Sequence, residues 1–219
     1  MSLSRAVQQL VQKDNHVRDA LRRNYGNISA IARLLKPKIE EMLDREVTQE
    51  GIITSLRRTK LNQESDQGNL KIIAESIINL RTDVAKISLE KSKKNLEDTI
   101  EALRKYQETF FQVLVGATKL TIIIDQSMFR RIRSVFWGRD VLDEKQNLAA
   151  IIVQSQTAIV DTPGCIATFY DSISGNQINI EETISCFTET IIIIRIEDAG
   201  KTFTILTDLI REARRTLHK

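Results

Sequence analysis

Side chains able to perform acid–base or nucleophilic chemistry are few in this 219-residue chain. It has two histidines, His16 and His218, and two cysteines, Cys165 and Cys186. Their spacing provides no Ser-His or Cys-His pair, no multi-histidine metal site and no disulfide framework. This composition predicts a protein that is not an enzyme and that carries no metal or cofactor. What remains is binding by the backbone. Asp161-Thr162-Pro163-Gly164 precedes a run that begins Cys165-Ile166 and is periodic for a helix. A Pro-Gly turn lets backbone N–H groups approach a ligand closely, and a helix N-terminus favours a carboxylate. Gln177-Ile178-Asn179-Ile180 follows at the mouth of the next strand, where the Asn179 amide offers a donor and an acceptor together. The purely structural alternative makes Thr162 the N-cap, Pro163 the first helical residue and Gly164 a tolerated passenger.

The elements that must position this turn are legible from periodicity. Strand Ala149–Val153 precedes it, helix Ile166–Ser174 follows, and then come strands Ile178–Ser185 and Thr190–Ile196 and helix Lys201–Leu217. The same order occurs earlier. Ile77–Glu90 is mostly strand, Lys94–Tyr106 a helix with Leu96, Ile100 and Leu103 on one face, and Phe110–Val115 and Leu120–Ile124 a hairpin across Gly116-Ala117-Thr118. Phe129–Phe136 is a short basic helix, expected to present a solvated face. A shift of 70 places Leu96 on Ile166 and Leu103 on Ile173, and a shift of 71 overlays Thr121–Ile124 on Ile192–Arg195. The second copy has no final strand after its last helix, so its edge needs covering by another element or subunit. Tyr106, Phe110 and Phe111 are expected in the core, and Trp137 in the core or at an interface.

With these residues, the second copy resembles the ACT domain, the small regulatory βαββαβ module found in aspartokinases and other amino-acid-responsive proteins. The resemblance rests on Asp161–Ala167 at the turn, Ile178–Glu181 at the strand, Ser185–Thr190 between strands and Asp198-Ala199 at the second helix. It covers roughly residues 148–212, and residues 80–147 by repeat; Glu90–Lys93 stands where the first copy would need its Pro-Gly turn. The fold implied is α+β, with tandem ferredoxin-like (βαββαβ) ACT-like domains and a small N-terminal helical bundle. It further implies homo-oligomers through these domains and a small effector, an amino acid above all, bound by Asp161, Thr162, Pro163, Gly164, Cys165, Ile166, Gln177, Ile178, Asn179 and Ile180.

Residues 1–60 read as three helical stretches: one from Ser2 or Ser4 with Val7, Leu10, Val11, Val17 and Leu21 on a face, one from Asn27 or Ser29 that ends or restarts at Pro37, and one from Thr48. Twelve Lys/Arg stand against seven Asp/Glu here, while the remainder has 20 against 22. This basic third is helix-turn-helix-like, with Arg33, Lys36, Lys38, Arg57, Arg58 and Lys60 as candidates for DNA phosphates. Glu40, Glu41, Asp44, Glu46 and Glu50 interrupt the positive surface. The organisation predicted is a helical module at 1–60, a polar linker at 61–70, and ACT-like repeats at 71–147 and 148–219. No signal peptide is visible at Met1–Ala20, and no apolar run approaches the roughly 20 residues needed to span a bilayer, so a cytoplasmic location without membrane partners is expected. Two functions suit this organisation: an effector-responsive transcriptional regulator, or a regulatory subunit or dimerisation scaffold acting on a metabolic enzyme without touching DNA.

Overall fold

The computed structural model describes residues 1–22, 25–59, 64–106 and 108–218. The chain divides into two units, Met1–Gln63 and Glu64–Lys219.

Among its described residues the first unit holds four helices, not three: α1 Leu3–Lys13, α2 Asn15–Arg22, α3 Ile28–Leu43 and α4 Gln49–Arg58. Asp14 causes the extra break. Its carboxylate accepts from the backbone N–H groups of His16 and Val17 at 3.0 and 3.1 Å, ending one helix and starting the next. Ser2, Asn27 and Thr48 cap α1, α3 and α4 in the same manner. Pro37 neither ends nor restarts a helix, because α3 runs through it; Leu35 and Ile39, buried on either side, hold the helix onto the core. Val7, Val11, Ile31, Ile39, Ile52 and Leu56 build that core, and Asp44 ends α3 in the left-handed conformation at φ 51°.

The second unit opens with α5, Glu64–Glu75, so residues 64–70 of the predicted linker are helix; 61–63 lie outside the described residues. β1 Ile77–Glu90, α6 Lys93–Lys105, β2 Phe111–Val115, β3 Lys119–Asp125 and α7 Phe129–Arg133 follow. Next come β4 Val141–Gln154, α8 Cys165–Ser174, β5 Glu182–Cys186, β6 Glu189–Arg195 and α9 Ala199–Leu217. The strands form one antiparallel sheet in the order β2-β3-β1-β4-β6-β5.

β4 begins eight residues before the predicted Ala149 and so adds a fourth strand to the first repeat, while the second repeat's missing edge is covered by the first half of β1. The carboxy-terminal half of β1 lies between β3 and the amino-terminal half of β4. The carboxy-terminal half of β4 lies between β6 and the amino-terminal half of β1, with Ile77 opposite Gln154 and Arg81 opposite Ala150. Each long strand is therefore the first strand of its own repeat and the fourth strand of the other. Val84–Glu90 and Leu148–Gln154 have identical burial, four buried residues followed by half-buried, buried and exposed. Asp83 and Asn147 precede these segments with φ of 55° and 56°, at the irregularity that divides each strand into its two duties.

Side-chain alternation divides the buried residues between the faces of the sheet. Ala85, Ile87, Leu89, Ile122 and Ile124 pack with α6 and α7, and Ala149, Ile151, Val153, Ile192 and Ile194 with α5, α8 and α9. On the opposite face Val84 and Ile123 join Leu148, Ala150, Ile191 and Ile193 in one cluster drawn from both repeats. The alignment of β3 on β6 is a shift of 70, not 71, since Ile122 and Ile124 match Ile192 and Ile194 in burial against helices. A one-residue slip would have exchanged the faces. The predicted face of α6 is also corrected: Asn95, Thr99 and Ala102 are buried, whereas Ile100 and Leu103 are 49% and 38% exposed.

Candidate functional site

The turn before α8 is built around Gly164. Its φ is +94°, a conformation that costs a side-chain-bearing residue free energy, and it occupies the N-cap position. Its carbonyl accepts from both the backbone N–H and the hydroxyl of Thr168 at 3.0 Å. Thr162 is thus not the N-cap and Pro163 not the first helical residue, since the helix starts at Cys165 with Gly164 before it. The Thr162 hydroxyl donates back to the carbonyl of Ala158 at 2.6 Å, closing the short 3₁₀ segment Thr157–Asp161.

Asp161, Pro163 and Gly164 are at the surface, Thr162 and Ile166 are half-buried, and Cys165 is fully buried. The Cys165 thiol donates to Oδ1 of Asn69 on α5 at 3.3 Å, and burial raises its pKa. A Cβ on Gly164 would stand 3.0 Å from Nδ2 of Asn69. Ile72 of α5 packs with Ile159 and Cys165. The turn is thus braced by a helix that sequence alone presented as linker.

The second predicted segment does not enter the same cluster. β5 begins only at Glu182, and residues 178–181 approach it as irregular backbone, with Glu181 N–H donating to the carbonyl of Ile193 at 2.8 Å. Ile178 is buried and Ile180 half-buried against the core that includes Phe169 and Ile173, whereas Ile72, Ile159 and Cys165 form a cluster of their own. Gln177, at φ 63°, and Asn179 are exposed. Two surface concavities lie elsewhere, one on α9 at Asp208–Thr216 and one where Ser76–Ile78 meet Thr207–Arg214.

A charged cluster joins the repeats and was not anticipated. The Glu181 side chain is 5% exposed and takes Lys145 at 2.5 Å and Arg195 at 3.5 Å. Lys86 projects from β1 with its side chain 9% exposed, donates to the Glu181 carbonyl at 3.5 Å and lies 3.4 Å from Asp143. The hydrogen bond from Lys145 is the main cause holding the Glu181 carboxyl below the usual carboxylate range; burial opposes it, and the charges of Lys145 and Lys86 and the hydrogen bond from Arg195 add to the lowering. These partners are 14 to 95 residues away, so no local motif marks them. The one available signal was a lysine inside the apolar run Val84-Ala85-Lys86-Ile87.

In the first unit Arg33, Lys38, Arg57 and Arg58 are exposed, and Lys36 lies 3.6 Å from Glu40. Glu40 also accepts from the Val47 N–H at 3.0 Å, which stabilises the turn between α3 and α4. Lys60 lies outside the described residues. Helix packing alone does not establish a helix-turn-helix. Phe111 is buried and Tyr106 and Phe110 are partly so, but Trp137 is 52% exposed, with Lys94 Nζ 3.8 Å and Arg139 Cζ 4.4 Å from its ring centre. Arg130 and Arg131 of the short basic helix are exposed.

The fold has counterparts among solved structures. The ligand-free regulatory subunit of aspartate kinase from Thermus thermophilus superposes with a TM-score of 0.51 at 13% identity, over 60% of this chain and 95% of that one. The corresponding subunit from Thermus flavus gives 0.50 at 13%, over 60% and 95%. Aspartate kinase from Synechocystis gives 0.52 at 12%, over 63% of this chain and 27% of that enzyme. The fold is that of tandem ACT-like domains. This chain therefore matches nearly the whole length of a separate regulatory subunit and about a quarter of a complete kinase. No family model matches the sequence, and no curated protein matches it. Among the described residues no helix is long and apolar enough to cross a membrane.

Proposed function

We propose that this protein is a non-catalytic, cytoplasmic regulatory subunit. In this reading its tandem ACT-like unit binds a small effector, an amino acid, and assembles with further copies, while the helical unit Met1–Gln63 grips a partner protein such as a metabolic enzyme. The observation that carries the reading is the similarity to an isolated regulatory subunit over 95% of that subunit's length. The Gly164 turn and Asn179 are the proposed effector contacts, supported by a left-handed glycine at a helix start and by an exposed amide in the segment leading to β5. The mechanism is linkage: an effector that prefers one arrangement of the second unit shifts the population of that arrangement.

The test is thermal unfolding with each of the twenty amino acids, alongside the variants Gly164→Val and Asn179→Ala. At least one amino acid is expected to raise Tm, by an amount lost in both variants. A flat panel removes the effector. The transcriptional-regulator reading draws on the exposed Arg33, Lys38, Arg57 and Arg58. Duplex binding that falls steeply with salt and is lost in Arg57→Glu/Arg58→Glu would favour it over the protein-partner reading.

A further inference from the structure

The outer halves of the two crossed strands are edges, and they are defended unequally. β1 pairs with β3 only from Val84 onward and β4 with β6 only from Leu148 onward, so among the described residues 77–81 and 141–147 are each paired on one side. A strand paired on one side presents the N–H and C=O groups of alternate residues to whatever approaches the other. In the first repeat Asp143, Glu144 and Lys145 guard that edge, ion-paired to Lys86, Arg133 and Glu181. In the second, Ile77-Ile78-Asn79-Leu80 carries no charge, and Ile77 and Leu80 are 59% and 39% exposed. Arg81 ends this stretch by turning to Asp125 at the end of β3.

A cavity of about 280 Å³ lies beside the uncharged edge, between residues 76–78 and the α9 side chains Thr207, Ile210, Arg211 and Arg214. Ile78 and Leu80 stand opposite Val153 and Ile151 and so share the helix-bearing face with them. The hydroxyls at the cavity are already bonded within the protein: Ser76 to the Ile72 carbonyl and Ser155 at 2.8 Å, Thr207 to the Phe203 and Thr204 carbonyls at 2.9 Å. What the cavity offers a ligand is therefore apolar surface and guanidinium. Arg211 is paired with Asp208 at 2.7 Å, whereas Arg214 forms no ion pair among the described residues. Arg214 Nε donates to the Ala74 carbonyl at 2.7 Å, which fixes its guanidinium near the start of β1. Thr207 and Arg214 are about 10 Å apart along the helix, the length of three strand residues.

The geometry points to a strand-addition site. Residues 77–80 take an extended segment of a partner protein as a further strand, antiparallel to β1. An apolar side chain of that segment fills the cavity, and an Asp or Glu near its carboxy-terminal end pairs with Arg214. The ladder supplies affinity, while the cavity and the guanidinium select the segment. This surface is separate from the Gly164 turn and stands whether or not an amino acid binds there.

The test takes the full-length protein, with amide hydrogen exchange followed residue by residue and random hexapeptides displayed on phage as the probe. In the free protein, alternate amides of residues 77–80 should exchange fast. Selected peptides should be acidic towards their carboxy-terminal end and should protect those amides. They should bind roughly tenfold more weakly to Arg214→Gln and to Thr207→Trp, the second of which fills the cavity. Arg214→Lys, which keeps the charge, should lose less. Circular dichroism of each variant confirms that it is folded. Full protection of residues 77–80 in the free monomer overturns the site. So does a selection that yields no peptide able to protect them, or peptides that bind both folded variants as well as the parent. Protection that vanishes on dilution, with a dimer in sedimentation, assigns the edge to a second copy and overturns the partner segment.

Discussion

The two repeats share their strands closely and differ in what is laid over them. A shift of 64 places Val84, Ala85, Ile87 and Leu89 on Leu148, Ala149, Ile151 and Val153, all buried, and Asp83 on Asn147, both left-handed. The helices diverge. α6 buries Asn95, Thr99 and Ala102, with Asn95 Nδ2 donating to the Glu90 carbonyl at 2.8 Å, while α8 buries Cys165, Phe169 and Ile173. α7 has five residues where α9 has nineteen, and only the second repeat receives α5. Crossed strands demand symmetry, since each serves both repeats and must match in length and bulge position. Helices on the outer face answer to one repeat only and are free to specialise. The first repeat is thus a compact support, and the second carries the longer loop and the extra helix.

The sharpest test of this asymmetry compares equivalent helix positions. Phe169→Ala should cost about 3–5 kcal/mol through the cavity it leaves, whereas Thr99→Ala should cost about 1 kcal/mol, both read by urea unfolding of the full chain. Similar losses at the two sites would mean the helix layers are equivalent after all.

The Glu181 cluster tests whether the repeats are joined by charge. Glu181→Gln should lose about 2 kcal/mol at pH 7, less than a fully buried pair would, because Lys145 and Arg195 are about half exposed. The sign with pH follows from the lowered folded-state pKa. The native contribution is complete above the unfolded value, about 4.3, and is lost as pH falls through the lower folded value. Unfolding midpoints of parent and variant should therefore converge in acid; a constant gap would place the effect in packing.

Gly164→Ala should cost about 1–2 kcal/mol, from its positive φ and the approach of Asn69. Ser92→Ala at the start of α6 should cost about 1 kcal/mol through its lost cap to Asn95 N–H, so only the first loss should shrink in an Asn69→Ala background. Effects no larger than that of Ser92→Ala, about 1 kcal/mol each, are expected for Asp83→Ala and Asn147→Ala, and their near equality is the prediction. Thermal melts that separate them widely would show that the two strand irregularities do not bear equal strain.

Periodicity and capping chemistry by themselves determined the order of strands and helices from β1 to α9, the repeat, the boundaries of β1 and the place of the Gly164 turn. These are local properties: apolar spacing, a serine or threonine before a helix, a Pro-Gly pair. Residues 64–70 were illegible as helix because Ser65, Asp66 and Asn69 compete for backbone hydrogen bonds and Gly68 loses most backbone entropy in a helix. Residues 141–148 were illegible as strand because their alternating exposure and charges conceal an element paired to β1 on one side. Only the tertiary structure decided that the first half of β1 completes the second repeat, that Asn69 meets Cys165, and that Glu181 gathers Lys145 and Arg195. Those pairings join residues far apart in the chain, and their free energy exists only once the sheet has brought them within contact distance.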